Sequence, residues 1–269
     1  MILKLKWFFI ARWTEHRREM GKYILVAALL VWLGSKSLAS LDYHWQWYRI
    51  GDFLLVRDGA GWRPGVLLQG LGVTFQIVFW SLALALLFGL AAALLRLSHS
   101  LFGRGIARVY LEMVRNTPLL TQLFFLYFVI SPIFGIGRFP TAVLALSLFE
   151  GAYASEILRA GILAVDKGQW EAAHSLGFSR AQAYRWVIIP QAIRHILPPL
   201  TGQAVSLVKD SALVSTIAIL DLTMQGQMIV AETFLTFEVW FTVAAIYLAV
   251  SLSLSALAWG MKLRFQTYL

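Results

Sequence analysis

The stretch DKGQWEAAHSLGFSRAQAYRWVIIP, Asp166 to Pro190, decides how the whole chain is read. It is too polar to cross a bilayer and too patterned for an irregular loop. Asp166 and Gln169 have the spacing of a capping box, with Asp in place of the usual Ser or Thr. Trp170, Ala173 and the region of Leu176 then share one face at helical spacing, which predicts a short amphipathic helix. Gly177 ends it, because glycine takes the left-handed cap conformation without a Cβ penalty. Ser179 and Gln182 form a second capping box, and a second short helix is expected to run until Pro190, which has no backbone donor. The product is a helical hook; its residues alone also fit a helix lying passively on lipid.

On both sides of the hook the composition changes to long apolar runs. Across the 269 residues, 59% are apolar and 14% charged, against roughly 45–50% and about 25% in soluble domains. The chain is therefore expected to be an all-α integral membrane protein, since helices and closed barrels alone satisfy the backbone in lipid and no period-2 alternation marks a barrel. Apolar runs lie at about 66 to 95, 106 to 131, 140 to 164 and 235 to 260, with a broken run at about 192 to 220. A further apolar stretch from Tyr23 to Leu33, extending to about Leu41, brings the expected total to about six spans. A cleaved signal peptide is the rival reading of that first stretch, given the small residues around Ala39.

The net charge of +9 reads as a topology signal. Lys and Arg gather between apolar runs and form no stripe interleaved with base-stacking aromatics, so no nucleic-acid partner is expected. With the N-terminus inside, the basic groups near Lys4 to Lys22, Arg96 to Arg108, Lys167 to Arg194, and Lys262 and Arg264 all fall on the cytoplasmic side. The C-terminus is then cytoplasmic too. Asp42 to Pro64, with Trp45, Trp47, Tyr48 and Trp62, becomes an outer loop that serves as an aromatic belt or a docking surface. The five histidines show no metal-ligand spacing, and the absence of cysteine excludes disulfides and thiolate chemistry.

Glu171-Ala172-Ala173, then Gly177, then Pro190 resemble the EAA signature of bacterial ABC import permeases, with Val187 and Ile189 where that signature usually has Ile and Leu. Four more blocks resemble the polar amino acid uptake subfamily in the same order: EMVRNTPLLTQLFFLYF from Glu112, EGAYASEILRAG from Glu150, SLVKDSAL from Ser206 and LTMQGQMIVA from Leu222. The resemblance covers about Gly70 to Arg264. It implies a five-helix type I importer core at 66–264, preceded by an addition at 1–65 that contains the extra N-terminal helix. It further implies a bacterial inner-membrane permease whose coupling helix, with Glu171, Ala172, Ala173, Gly177 and Pro190, docks into a cytoplasmic ATPase dimer. A second permease, identical or related, and an extracytoplasmic amino acid binding protein complete the expected assembly, in membrane lipid.

No G-x-x-x-x-G-K-[ST] phosphate loop occurs, so ATP and Mg are expected on the partner ATPase and no cofactor on this chain. Neither HExxH nor GxSxG occurs, which argues against an intramembrane enzyme, and nothing specifies the lining of a passive channel. For the substrate path, charges within apolar runs mark the places to look. Glu150, Glu156, Lys209 and Asp210 are such residues, and Thr117, Tyr153, Gln203 and Ser206 are polar candidates beside them. Glu156 and Arg159 stand three apart and can simply pair. Glu150 has no basic residue three or four positions away, so it either receives a substrate ammonium or is protonated and hydrogen-bonded. Pro118 suits a helix start with Thr117 as its cap. Pro198-Pro199 is expected to break the fifth span beside a cavity near Thr201, Gln203 and Ser206.

Overall fold

The computed structural model describes residues 20, 22–29, 31–36, 43–59 and 61–266, with 261–266 as backbone only. The chain divides into two compact units, Met1–Trp45 and Gln46–Leu269. In the first, residues 22–29 and 31–36 are helical, on the stretch expected to form the first span. Its charged start up to Arg18 and the end of its extension, 37–41, lie outside the described residues. Lys36 Nζ sits 5.2 Å over the Trp32 ring, which gives the charge a local partner.

The second unit opens with structure where a loop was expected. A 3-10 turn, Trp47–Arg49, leads into α1 (Ile50–Leu54) and a two-stranded hairpin, β1 (Leu55–Asp58) and β2 (Gly61–Pro64), with Leu55 opposite Pro64. An isolated hairpin is marginal in water. This one is tethered: Gly65 N donates to Leu54 O at 2.7 Å, and Gln46 N donates to the buried Glu238 carboxylate at 2.7 Å. Ile50 packs with Leu67, Leu222, Leu235 and Val239.

α2 (Val66–Leu97) has 32 residues, about 48 Å at 1.5 Å per residue, enough to cross a core of roughly 30 Å. Its buried positions, Gly70, Thr74, Ile77, Ser81, Ala85 and Gly89, recur every three or four residues and are mostly small. Lipid supplies no hydrophobic force between helices, so close packing of such small faces must do that work. α3 (Leu101–Arg115) follows, capped by Ser100, whose hydroxyl accepts from Gly103 N at 3.1 Å.

The single span expected at about 106 to 131 is instead two helices, α3 and α4 (Leu119–Phe134), bent by 106°. Pro118 disfavours helical backbone at Thr117 and lacks a donor of its own. Side chains from the bend satisfy the carbonyls freed at the end of α3. Asn116 Nδ2 donates to Glu112 O at 2.8 Å, Thr117 Oγ1 to Met113 O at 2.8 Å, and Gln122 Nε2 to Val114 O at 2.7 Å. Thr117 thus closes the helix before it; Pro118 itself occupies the N-cap position of α4, with no side-chain cap.

α5 (Arg138–Leu163) lies against α2, meeting it at the Val143 carbonyl, Gly151 and Ala154. A Cβ on Gly89 would stand 2.8 Å from Ala154 Cβ and 3.0 Å from Gly151 O, so the two backbones meet where only glycine fits. The hook follows as α6 (Lys167–Ser175) and α7 (Arg180–Ala183), and a π-turn, Tyr184–Ile188, carries the chain into α8 (Ile189–Asp210). Pro190 therefore does not stop the second hook helix. The widened π-turn relieves the clash of its ring with the carbonyl four residues earlier. Leu126–Ile130 makes a π-turn at the same distance before Pro132 in α4.

The expected break at Pro198-Pro199 is also absent. α8 runs through both prolines, with Thr201 Oγ1 donating to Pro198 O at 2.7 Å. Neighbouring helices and Ser or Thr hydroxyls can hold a proline-bearing membrane helix together in this way. The break comes later, where a 3-10 segment, Ser211–Ile217, ends at Ala218 with φ 57°. α9 (Leu222–Thr233) and α10 (Thr236–Gln266) complete the unit. Asp221 caps α9 by accepting from Met224 N at 2.8 Å, and Leu222 N donates to Thr74 Oγ1 of α2 at 3.2 Å.

Among the described residues, Val66–Leu97, Arg138–Leu163 and Thr236–Gly260 are long and apolar enough to cross a membrane, and the bent pair would be a fourth span. About six were expected. α8 falls short of that apolar standard because it carries Arg194, His195, Gln203, Lys209 and Asp210.

Candidate functional site

Two groups of residues are candidates for function: the hook and the polar side chains within the bundle. In the hook, Asp166 accepts from Gly168 N at 2.7 Å, so it caps α6 one residue earlier than the expected box with Gln169. Gly177 has φ 77°. Phe178 N donates to Ala173 O at 3.1 Å and Gly177 N to His174 O at 2.9 Å, the paired bonds of a Schellman motif. Ser179 and Gln182 make the complete reciprocal box at α7.

Ala173 is buried, while Glu171 and Ala172 face outward. Leu176 is exposed, contrary to the face expected for it. Trp170 packs edge-on against Tyr184 with centroids 4.9 Å apart, and Gln191 Nε2 donates to Gln169 Oε1 at 3.0 Å, so the hook is fastened to the start of α8. Arg180 Nη2 also reaches His99 Nε2 at 2.8 Å. As Arg can only donate, His99 accepts, and the hook is tied to the α2–α3 connection.

Within the bundle, Glu150 is 1% exposed. Gln203 Nε2 of α8 donates to its Oε2, while Oε1 has no hydrogen-bond partner among the described residues. Asp210 lies beside it as a second carboxyl, with Lys209 as the nearby cation. Three expected path residues, Glu150, Gln203 and Asp210, are thus brought together across 53 to 60 positions of sequence. Lys209 is exposed and Ser206 half-buried. Thr117 stays apart, in the α3–α4 bend.

Glu156 forms the second cluster. Its carboxylate takes Arg96 of α2 at 2.6 Å, Arg115 of α3 at 3.4 Å and Arg159 of its own helix at 3.2 Å. The expected pair with Arg159 is there, but Arg96 and Arg115 were not anticipated, since nothing in local spacing relates residues 41 and 60 positions away. Arg115 also lies over Tyr153, 5.7 Å from the ring centroid. Around Glu156 and Tyr153 opens a cleft of about 930 Å³, between α2, α3 and α5. That is a different place from the cavity expected near Thr201.

The comparisons with known proteins agree with this architecture. Residues 85–260 match the family described as binding-protein-dependent transport system inner membrane component. The chain is 38% identical over 193 residues to the glutamine transport system permease protein of Escherichia coli (strain K12), covering 71% of this chain and 88% of that one. It is 40% identical over 169 residues to the L-cystine transport system permease protein of Bacillus subtilis (strain 168), covering 62% and 72%. A structure titled as an amino acid ABC transporter with histidines superposes with a TM-score of 0.69 at 41% identity, over 74% of this chain and 94% of that one. The MetNI methionine ABC transporter in an inward-facing conformation shares the fold, with a TM-score of 0.64 at 18% identity over 74% and 96%. The sequence signature, the helical core and these likenesses converge: this chain belongs to the family of binding-protein-dependent transport system inner membrane components, the permease subunits of ABC importers.

Proposed function

We propose that this permease carries polar amino acids along a path that passes Glu150 and Gln203, and that the Asp166–Pro190 hook seats in a separate cytoplasmic ATPase. The observation that carries the reading is the doubly capped hook, whose rigid turn leaves Glu171 and Ala172 facing outward. A rim charge beside a small residue permits both a charged contact and close approach. Gly177 sets the bend between the hook's two short helices. ATP and Mg belong to the partner ATPases, a second permease completes the path, and an extracytoplasmic binding protein delivers substrate.

Relatives named for glutamine and L-cystine support a polar amino acid as cargo. On this reading both termini are cytoplasmic, residues 1–65 are an addition, and 66–264 form the permease domain. An amino acid needs an anion for its ammonium and a cation for its carboxylate. Glu150, with Asp210 beside it, provides the first, and Lys209, the cation next to Asp210, provides the second.

The test is uptake by proteoliposomes that hold the permease, its ATPase and its binding protein. Import is expected only with ATP, and uptake without ATP would remove the importer reading. Glu150→Gln is expected to slow import by about tenfold and to change its ranking of amino acids, as loss of one charge-assisted hydrogen bond implies. An unchanged rate and profile would remove Glu150 from the path.

A further inference from the structure

α3 carries three stripes at helical spacing, about 120° apart around its axis. Gly103, Ala107, Leu111 and Val114 are buried against the bundle. On one side stand Arg104, Arg108, Glu112 and Arg115, all lining the cleft around Glu156. On the other, Phe102, Ile106, Val109 and Met113 are exposed, Phe102 to 79%. Apolar side chains left outside the protein core in this way are suited to acyl chains.

The cleft is strongly cationic. Arg96, Arg104, Arg108, Arg115 and Arg159 face it, against Glu112 and Glu156 alone. Glu156 already answers Arg96, Arg115 and Arg159, and Asn116 Nδ2 bonds Glu112 at 2.9 Å. Arg104 and Arg108, exposed one turn apart, make no ion pair among the described residues. His99, between α2 and α3, meets Arg180 of the hook, so the cleft lies at the hook end of the bundle.

We propose that this cleft binds the headgroup of an anionic phospholipid, with Arg104 and Arg108 on the phosphate and the chains along Phe102, Ile106, Val109 and Met113. A basic pocket beside an exposed apolar stripe at the membrane surface fits both halves of such a lipid, and it is the pairing of the two that excludes a free phosphate as the natural occupant. The leaflet is the one nearest the hook. That assignment rests on the coupling reading, whereas binding itself does not.

The chain has no cysteine, and a Cβ at Gly105, which lines the cleft, would meet nothing within 4 Å. Gly105→Cys labelled with a maleimide benzophenone therefore places a photocrosslinker at the site in the assembled transporter. In vesicles of phosphatidylglycerol and phosphatidylethanolamine, adducts are expected to be enriched in phosphatidylglycerol about tenfold above its mole share. Arg104→Gln with Arg108→Gln should abolish that enrichment and leave the total lipid adduct unchanged. Adducts at the mole share overturn the proposal. So does crosslinking to a second copy of the chain, which would assign the face to a protein partner. Loss of ATP-dependent uptake in the labelled protein would concern the coupling reading and leave the lipid result standing.

Discussion

Gly177→Trp is expected to cut ATP-driven uptake by about tenfold or more while the permease stays folded in the membrane, since an L-residue in left-handed backbone costs roughly 1–2 kcal/mol. Gly177 has φ 77°, and a Cβ there would meet nothing within 4 Å. Within the chain, the strain is therefore in the backbone. The cost falls on the Schellman turn, whose two hydrogen bonds fix the angle between α6 and α7. Relieving the strain means opening that turn, which displaces Glu171 and Ala172 from the surface proposed to meet the ATPase. Gly177→Ala should show most of the same loss, because it introduces the same backbone strain with a methyl group alone. The measurement is uptake against ATP hydrolysis in proteoliposomes, with membrane content quantified for each variant. Uptake at the wild-type rate by both variants would mean that the turn does not transmit the stroke.

The second large effect lies in the bundle. Gly89→Leu is expected to lower the thermal midpoint of the purified permease by roughly 10 °C, or to prevent its accumulation, because overpacking costs about 1–3 kcal/mol or more. The Cβ alone would press on Ala154 Cβ at 2.8 Å and on Gly151 O at 3.0 Å, where α2 and α5 meet backbone to backbone. Leucine at Gly72 of the same helix is the control, since a Cβ there meets nothing within 4 Å. It should leave the midpoint nearly unchanged. Equal midpoints for the two variants in a detergent thermal assay would contradict a packing built on small residues.

These two sites differ in how far the sequence reveals them. The hook is legible because its determinants are local: Ser179 and Gln182 are three residues apart, and Gly177 follows the helix it ends. Even there the details depend on backbone geometry, as Asp166 bonds Gly168 rather than closing a box with Gln169. The membrane runs at 66, 140 and 235 are equally readable from length and hydropathy.

Proline was the less reliable guide. Pro118 does mark a boundary, the 106° bend, yet Pro190, Pro198 and Pro199 do not stop their helices. In water an unpaired carbonyl near a proline can turn outward to solvent. In an apolar setting it must be satisfied within the chain, and a π-turn or a Thr201 hydroxyl is enough to do so.

Apart from the Glu156–Arg159 pair, the polar clusters could not be assembled from sequence. Glu150 and Gln203 are 53 positions apart, and Arg96 and Glu156 are 60 apart. Glu150, Glu156 and Gln203 were visible as polar residues among apolar ones, which identifies a candidate but not its partner, whereas Arg96 read only as part of a basic connection between runs. The Trp-rich segment before α2 carries structure that its aromatics did not announce: α1 and a hairpin, preceded by Gln46, whose N donates to Glu238 across 192 positions.

If the outward face of the hook meets the ATPase, a thiol placed on that face will reach that subunit. The chain lacks cysteine, so Ala172→Cys provides a single attachment point on that face. With a short thiol crosslinker in the assembled transporter, the introduced thiol is expected to join the ATPase subunit and thereby stop ATP-dependent uptake. An Ala172→Cys transporter that imports its substrate with ATP but never crosslinks through that thiol, or crosslinks there only to lipid, would contradict the account.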